Sequence, residues 1–264
     1  MSNTTKVAAA IFAGLVVVGA AVYFIWLRPE RAAEVMEPPM LETPAPAPTP
    51  TPSLSERLSQ RLKGVTLRTS DAAVRELASH LSANPKLAAW LANDDLIRRF
   101  VAAVNNVAAG DSPSKQVEFL RPDTPLEVVS EGGKLYIDPA SYHRYDRVAD
   151  VIASLDTQGT VALYRELEPL MDEAYREIAP PGRTFSDRLR SAMNELLAVP
   201  VPPVRIQVKE RTVSTYAYAD ERLESMNAAQ RHFLRMGPDN VRKIQAKLRE
   251  LRDALSSAST PAGA

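Results

Sequence analysis

From Val7 to Leu27 the chain carries no charged residue and is almost wholly apolar, a run unlike any other in its 264 residues. At 1.5 Å per residue, a helix of about 21 residues spans roughly 30 Å, the thickness of one hydrocarbon core. The run ends in the bulky Tyr23-Phe24-Ile25-Trp26-Leu27 rather than in a small-x-small cleavage site, so it reads as an anchor and not as a removed signal. Lys6 on one side and Arg28 and Arg31 on the other nearly balance. The short polar tail 1–6 then favours a signal anchor that leaves the following domain outside the cytoplasm. Residues 28–52 form a linker, densest in proline from Pro38 to Pro52. Alternating Ala-Pro and Thr-Pro there excludes helix and sheet and predicts an extended spacer reaching about 45 Å.

Beyond the linker the apolar positions recur at helical spacing. Ser70 precedes Val74, Leu77, Ala78 and Leu81, and Asn84-Pro85 opens a second helix with Leu87, Trp90 and Leu91. A third is expected to be capped by Asn93, with Asp94 and Asp95 in its first turn and a face of Leu96, Ile97, Phe100, Val101, Val104 and Val107, ending at Gly110. Asp138-Pro139 starts a helix whose stripe is Tyr142, Tyr145, Val148, Ile152 and Leu155. The next carries Val161, Tyr164, Leu167, Met171, Ala174 and Ile178, with a bend at Pro169. Thr184 with Asp187 resembles a capping box before Phe185, Leu189, Met193 and Leu196. Asp220 opens a helix bearing Leu223, Met226 and Phe233 that Gly237-Pro238 stops. The last helix shows Val241, Ile244, Leu248, Leu251 and Leu255, a spacing that suits intramolecular packing better than so short a coiled coil.

Period-two segments interrupt this pattern twice. Leu126–Val129 and Lys134–Ile137 flank a Glu131-Gly132-Gly133 turn, and Val204–Val208 precedes a second run from Val213 to Tyr218. The chain is therefore expected to be mainly α: a transmembrane helix over 7–27, the linker 28–52, one helical domain over 53–256 with one or two small β-hairpins, and a disordered tail over 257–264.

Composition narrows the chemistry. Lys and Arg number 32 and Asp and Glu 32, so global charge argues for no nucleic-acid partner. There is no cysteine, and the three histidines His80, His143 and His232 form no ligand motif, so no metal site is expected. No phosphate loop or nucleotide fingerprint is present, and no cofactor is implied. Ser112 and Lys115 match SxxK by chance, in a proline-broken loop without companion motifs. The acidic clusters Asp94-Asp95, Glu166/Glu168 and Asp172-Glu173 include the kind of carboxylate pair that glycoside hydrolysis uses, yet acids in a first helical turn already have a structural task. No catalytic residue is assigned.

Two segments concentrate polar and aromatic groups. In the first, Asp94–Arg98 and Asp95–Arg99 stand at i,i+4 spacing; the second is Tyr142-His143-Arg144-Tyr145-Asp146-Arg147. With Arg235 and Asn240 they supply the candidate binding residues Asp95, Arg98, Arg99, Tyr142, Arg144, Tyr145, Asp146, Arg235 and Asn240, suited to a partner or an anionic ligand. An intramolecular network between helices accounts for the same pattern.

Asp94–Val101, Tyr142–Asp146, Tyr216-Ala217-Tyr218-Ala219-Asp220 with Leu223-Glu224, and Leu234–Asn240 occur in an order that resembles a bacterial domain-of-unknown-function family, number 3014. The likeness runs from about Leu81 to Leu251 and extends to the anchor-and-linker layout. It implies a Gram-negative envelope protein and supplies no activity. The expected role is an inner-membrane, single-pass protein with its C-terminal domain in the periplasm, acting as an interaction or scaffold domain for an envelope protein or polymer. The alternatives are an anchored hydrolase of peptidoglycan or another envelope polymer, and a binder of a small anion.

Overall fold

The computed structural model describes residues 53–212 and 215–257. The expected span over 7–27, the linker 28–52 and all but the first residue of the tail 257–264 lie outside them; among the described residues no helix is long and apolar enough to cross a membrane. The described part is mainly helical, with one small antiparallel sheet.

Helices α1 (Leu54–Leu62), α2 (Ser70–Ser79), α3 (Pro85–Leu91) and α4 (Leu96–Ala108) form the first half. Asn84 caps α3 as expected: its Oδ1 accepts the Lys86 amide at 3.0 Å, and Pro85 sits where no amide donor is needed. Residues Ile97, Val101, Val104 and Val107 recur at three and four positions along α4 and are all buried. They meet Leu163, Leu167, Met171, Ala174 and Tyr175 of α6 (Thr157–Arg176), with Phe185 and Ala192 of α7 (Phe185–Leu197), Val74 and Ala78 of α2, and Leu58 of α1. Side chains of this size each contribute about 1.5–3 kcal/mol on full burial, so this shared stripe holds the layer together. Ile178 does not join it. Helix α6 closes at Arg176, and Ile178 is 50% exposed. For α7, the Thr184 hydroxyl accepts the Asp187 amide at 3.3 Å, the expected cap.

The second half is built around the sheet. Strands β1 (Val128–Glu131) and β2 (Lys134–Ile137) are joined by Gly132 and Gly133, at φ 57° and 74°, the left-handed pair a tight hairpin turn requires. Strands β3 (Gln207–Thr212) and β4 (Thr215–Tyr218) form the second hairpin, with β3 starting three residues later than the alternation predicts. Leu135 pairs with Val208, which joins both hairpins into one sheet of order β1-β2-β3-β4. The outer edge of β4 is covered rather than left open. Its Tyr218 amide donates to Glu224 Oε2 at 2.9 Å, and Arg235 reaches the Tyr216 carbonyl at 3.4 Å.

The helix expected from Asp138 changes type midway. Pro139–Tyr145 is 3₁₀, and α5 (Asp146–Ala153) follows. In a 3₁₀ segment residues three apart eclipse, which puts Tyr142 and Tyr145 side by side, both buried. The helix expected from Asp220 is likewise two, α8 (Glu221–Glu224) and α9 (Ala228–Leu234), because Asn227 Oδ1 accepts the Gln230 amide at 2.9 Å and starts a new helix. Gly237 precedes α10 (Pro238–Ser257), whose Val241 and Ile244 are buried with Ile137, Val208, Tyr218, Phe233 and Leu234 in a second core. Helix α10 packs on α5, α6 and α7, so its apolar stripe serves intramolecular packing. The buried Gln245 amide of α10 donates to the Leu196 and Val199 carbonyls at 3.0 and 2.8 Å, fixing the chain where α7 ends.

Candidate functional site

The sequence-predicted polar residues fall into two groups. In the first, Asn93 does not cap α4. The N-cap position is Asp95, at φ 55°, and its own side chain makes no cap bond. Instead Asp71, on α2, accepts the Asp95 and Leu96 amides at 2.8 and 2.9 Å. Because α4 begins only at Leu96, Asp94 and Asp95 precede its helical face, and the expected i,i+4 pairs do not form. Arg98 donates to Asp95 at 3.3 Å and forks onto Glu177 at 2.7 and 2.9 Å, while Arg99 donates to the Asp94 carbonyl at 2.8 Å. The Arg98 fork holds the Glu177 carboxyl below the usual carboxylate range. This group ties α4 to the end of α6.

The second group converges around α10. Asn240 is buried, and its Nδ2 donates to the Tyr142 carbonyl at 3.1 Å, to Asp146 Oδ1 at 3.0 Å and to the Met236 carbonyl at 3.0 Å. His143 Nδ1 lies 2.8 Å from Asp146 Oδ2. Burial pushes the Asp146 carboxyl up, but the hydrogen bonds from Asn240 and His143 outweigh it and hold it below its ordinary value. Tyr142 is buried without a hydrogen-bond partner for its hydroxyl, and burial pushes that phenol up to about 12. Among the described residues no hydrogen bond or ion pair joins this group to the first.

Next to it lies an arrangement the sequence reading left incomplete. The Arg144 guanidinium stands 5.2 Å from the centre of the Tyr145 ring, which meets the His232 ring edge-on at 6.4 Å. His232 Nδ1 is 3.3 Å from the Ser112 hydroxyl. Burial, then the charges of Arg235 and Arg144, push the His232 imidazole below its ordinary value, so it is neutral near pH 7. Neither His232 nor Ser112 was a candidate. The only sequence signal was His232 one turn before Arg235 on a short helix.

Within the acidic clusters, Glu166, Glu168 and Asp172 have structural partners. Glu166 accepts the Ser55 and Ser59 hydroxyls, holding α1 on α6, and Asp172 accepts the Phe185 amide at 2.8 Å, starting α7. Glu168 receives the Tyr164 hydroxyl at 3.4 Å. No group of three or more His, Asp or Glu side chains placed to hold a metal occurs among the described residues.

Two concavities stand out. The larger, an open groove of about 720 Å³, is lined by Pro200-Val201-Pro202-Pro203 and by Ile206, Leu223 and Met226. Its one lining carboxylate, Asp220, is paired with Arg222 at 2.9 Å. The smaller, about 230 Å³, holds Asp187 as its one carboxylate and Arg188, whose guanidinium is spent on Asn105 at 2.8 and 2.9 Å. Neither sets two carboxylates across a cleft.

The sequence profile of the family described as "Protein of unknown function (DUF3014)" matches residues 96–252, more than half of the chain. No curated protein and no solved structure matches it.

Proposed function

Because the chain belongs to the DUF3014 family of proteins of unknown function, whose name carries no activity, we propose from its surface that it is a non-enzymatic interaction domain, tethered to a bacterial inner membrane through residues 7–27 and facing the periplasm. The observation that carries this reading is the groove at Pro200–Pro203. Most of its lining is apolar, with Arg205, Gln207, Asp220 and Arg222 as the polar members, and Val201 and Val204 are 41% and 55% exposed. Prolines give it a wall of fixed φ that loses little freedom when a partner docks. Such a surface suits a protein segment presenting apolar side chains, and Glu166 and Asp172 of the acidic clusters are already committed to an interhelical contact and a helix start.

A photo-crosslinking residue placed at Val201 or Leu223 of the full chain, in living cells, tests this. The expected result is one discrete adduct shared by both positions and absent from the exposed position Lys209 within β3. Adducts of the same kind from all three positions, or none from any, contradict the groove as the docking surface.

A further inference from the structure

The two edges of the sheet are finished differently. At β4, Glu224 takes the Tyr218 amide and Arg235 reaches the Tyr216 carbonyl. No side chain does this at β1, and the observed bonds fix which groups that edge presents. Glu131 and Lys134 flank the two-residue Gly132-Gly133 turn, so they form a hydrogen-bonded pair, and the ladder bonds fall on every second residue from there. Val129 opposite Tyr136 is the next such pair, and Glu127 takes the Asp138 amide at 3.0 Å, in step with that alternation. The Ile137 amide turns the other way, onto the Ile206 carbonyl at 3.0 Å. Val128, which lies opposite Ile137, and Ser130 therefore aim both N–H and C=O out of the sheet. Among the described residues no hydrogen bond reaches these four groups, and β2 is the element packed along β1.

An edge of this kind accepts an extended segment, whose backbone completes the row of donors and acceptors. The side chains beside it define what that segment carries. Glu127, Val129 and Glu131 alternate onto one face of β1; Glu127 is exposed and forms no ion pair among the described residues, while Glu131 holds Arg205. A second copy of this chain fits poorly. Antiparallel pairing of two β1 edges about Val129, the register that uses all four groups, sets Glu127 opposite Glu131 of the copy, and like charges directly opposite are unfavourable. A basic residue opposite Glu127 and an apolar one opposite Val129 complement the same row. We propose that the β1 edge binds an extended segment of another protein, carrying Lys or Arg two positions from an apolar residue, which adds a strand to the four-stranded sheet. No β1 residue lines the groove, so the two surfaces stand or fall separately.

The probe is the peptide Thr-Lys-Thr-Val-Thr-Lys-Thr, blocked at both ends, whose palindromic pattern is the same in either strand direction. Hydrogen exchange of segment 126–131 is followed by mass spectrometry in the full chain in a non-ionic detergent. At ten times its Kd the peptide should slow exchange of the outward amides about tenfold. The same peptide with Glu in place of both Lys should have little effect. Ser130→Pro removes one outward N–H, leaves the bonds between β1 and β2 in place, and should weaken peptide binding about fivefold. Glu127→Lys should reverse the preference between the two peptides. Should Ser130→Pro not fold, Glu127→Lys, at an exposed position, decides. No slowing in wild type by up to about 5 mM peptide, equal slowing by both peptides, or an unchanged response in either folded variant overturns the site.

Discussion

Asn240 donates its side-chain amide to the Asp146 carboxylate at 3.0 Å across 94 residues of sequence, and so fixes the start of α10 against the start of α5. The same nitrogen reaches the carbonyls of Tyr142 and Met236, and the residue is 2% exposed. Asn240→Ala leaves three acceptors short of their donor in a buried setting, at a cost of about 1–3 kcal/mol. Asn240→Asp adds a carboxylate facing three oxygen acceptors and costs more. Urea unfolding with an unchanged slope measures both, and a loss under about 0.5 kcal/mol for both would remove Asn240 from its structural role.

Gly237 sits at φ 83°, and a Cβ there would lie 2.7 Å from Tyr142 Cβ, nearer still to the ring. Gly237→Ala is expected to cost about 1–2 kcal/mol in backbone strain and about 1–3 kcal/mol more in overpacking. Gly133 provides the comparison. It has φ 74° and nothing within 4 Å of its virtual Cβ, so Gly133→Ala should show the backbone part alone. Equal losses at the two positions would mean that Tyr142 gives way freely.

The capping of α4 separates two aspartates by role. Asp71→Ala removes the acceptor of the Asp95 and Leu96 amides and should cost about 0.5–2 kcal/mol. Asp95→Asn keeps a side chain that tolerates the left-handed region and should change stability by less than about 0.5 kcal/mol. The reverse ranking in thermal unfolding would return the cap to Asp95.

His232 makes stability depend on pH. Its folded pKa is lowered by burial and by the two arginine charges, so between that value and the unfolded value near 6.5 the unfolded chain binds more protons. The stabilisation is complete above about pH 6.5 and is lost as pH falls through that window, with a slope of at most about 1.4 kcal/mol per pH unit. His232→Gln should flatten this part of the profile. Superimposable profiles for wild type and variant would show that another group governs it.

Much of the helical layer was legible in the sequence, because the burying positions of α4 and α6 recur locally at helical spacing and Asn84-Pro85 and Thr184 mark their own helix starts. The first hairpin was legible for the same reason: Gly132-Gly133 permits a turn few other pairs permit. What escaped depends on partners distant in sequence. The pairing of Leu135 with Val208 merges two hairpins, and Asp71 caps a helix that starts 25 residues later. The 3₁₀ turn at Pro139–Tyr145 shares its apolar spacing with an α-helix over so short a stretch. Of the candidate binding residues, Tyr142, Asp146 and Asn240 do meet, and Arg144, Tyr145 and Arg235 gather around His232, whereas Asp95, Arg98 and Arg99 serve the junction of α4 with α6. Ser112 and His232 escaped because only folding brings residues 120 positions apart together. The groove was not read from the sequence, because Pro200-Val201-Pro202-Pro203 lines it together with Leu223 and Met226, which only folding brings near.

The most direct measurement of the proposed role is the composition of complexes purified from membranes of cells expressing the full chain or its Val201→Asp/Val204→Asp double variant. Both valines are exposed, so the variant should melt within a few degrees of wild type. The account predicts that a protein retained at constant stoichiometry by wild type is lost from the equally folded variant. Retention of every such protein by the variant would contradict the groove as the surface through which this domain acts.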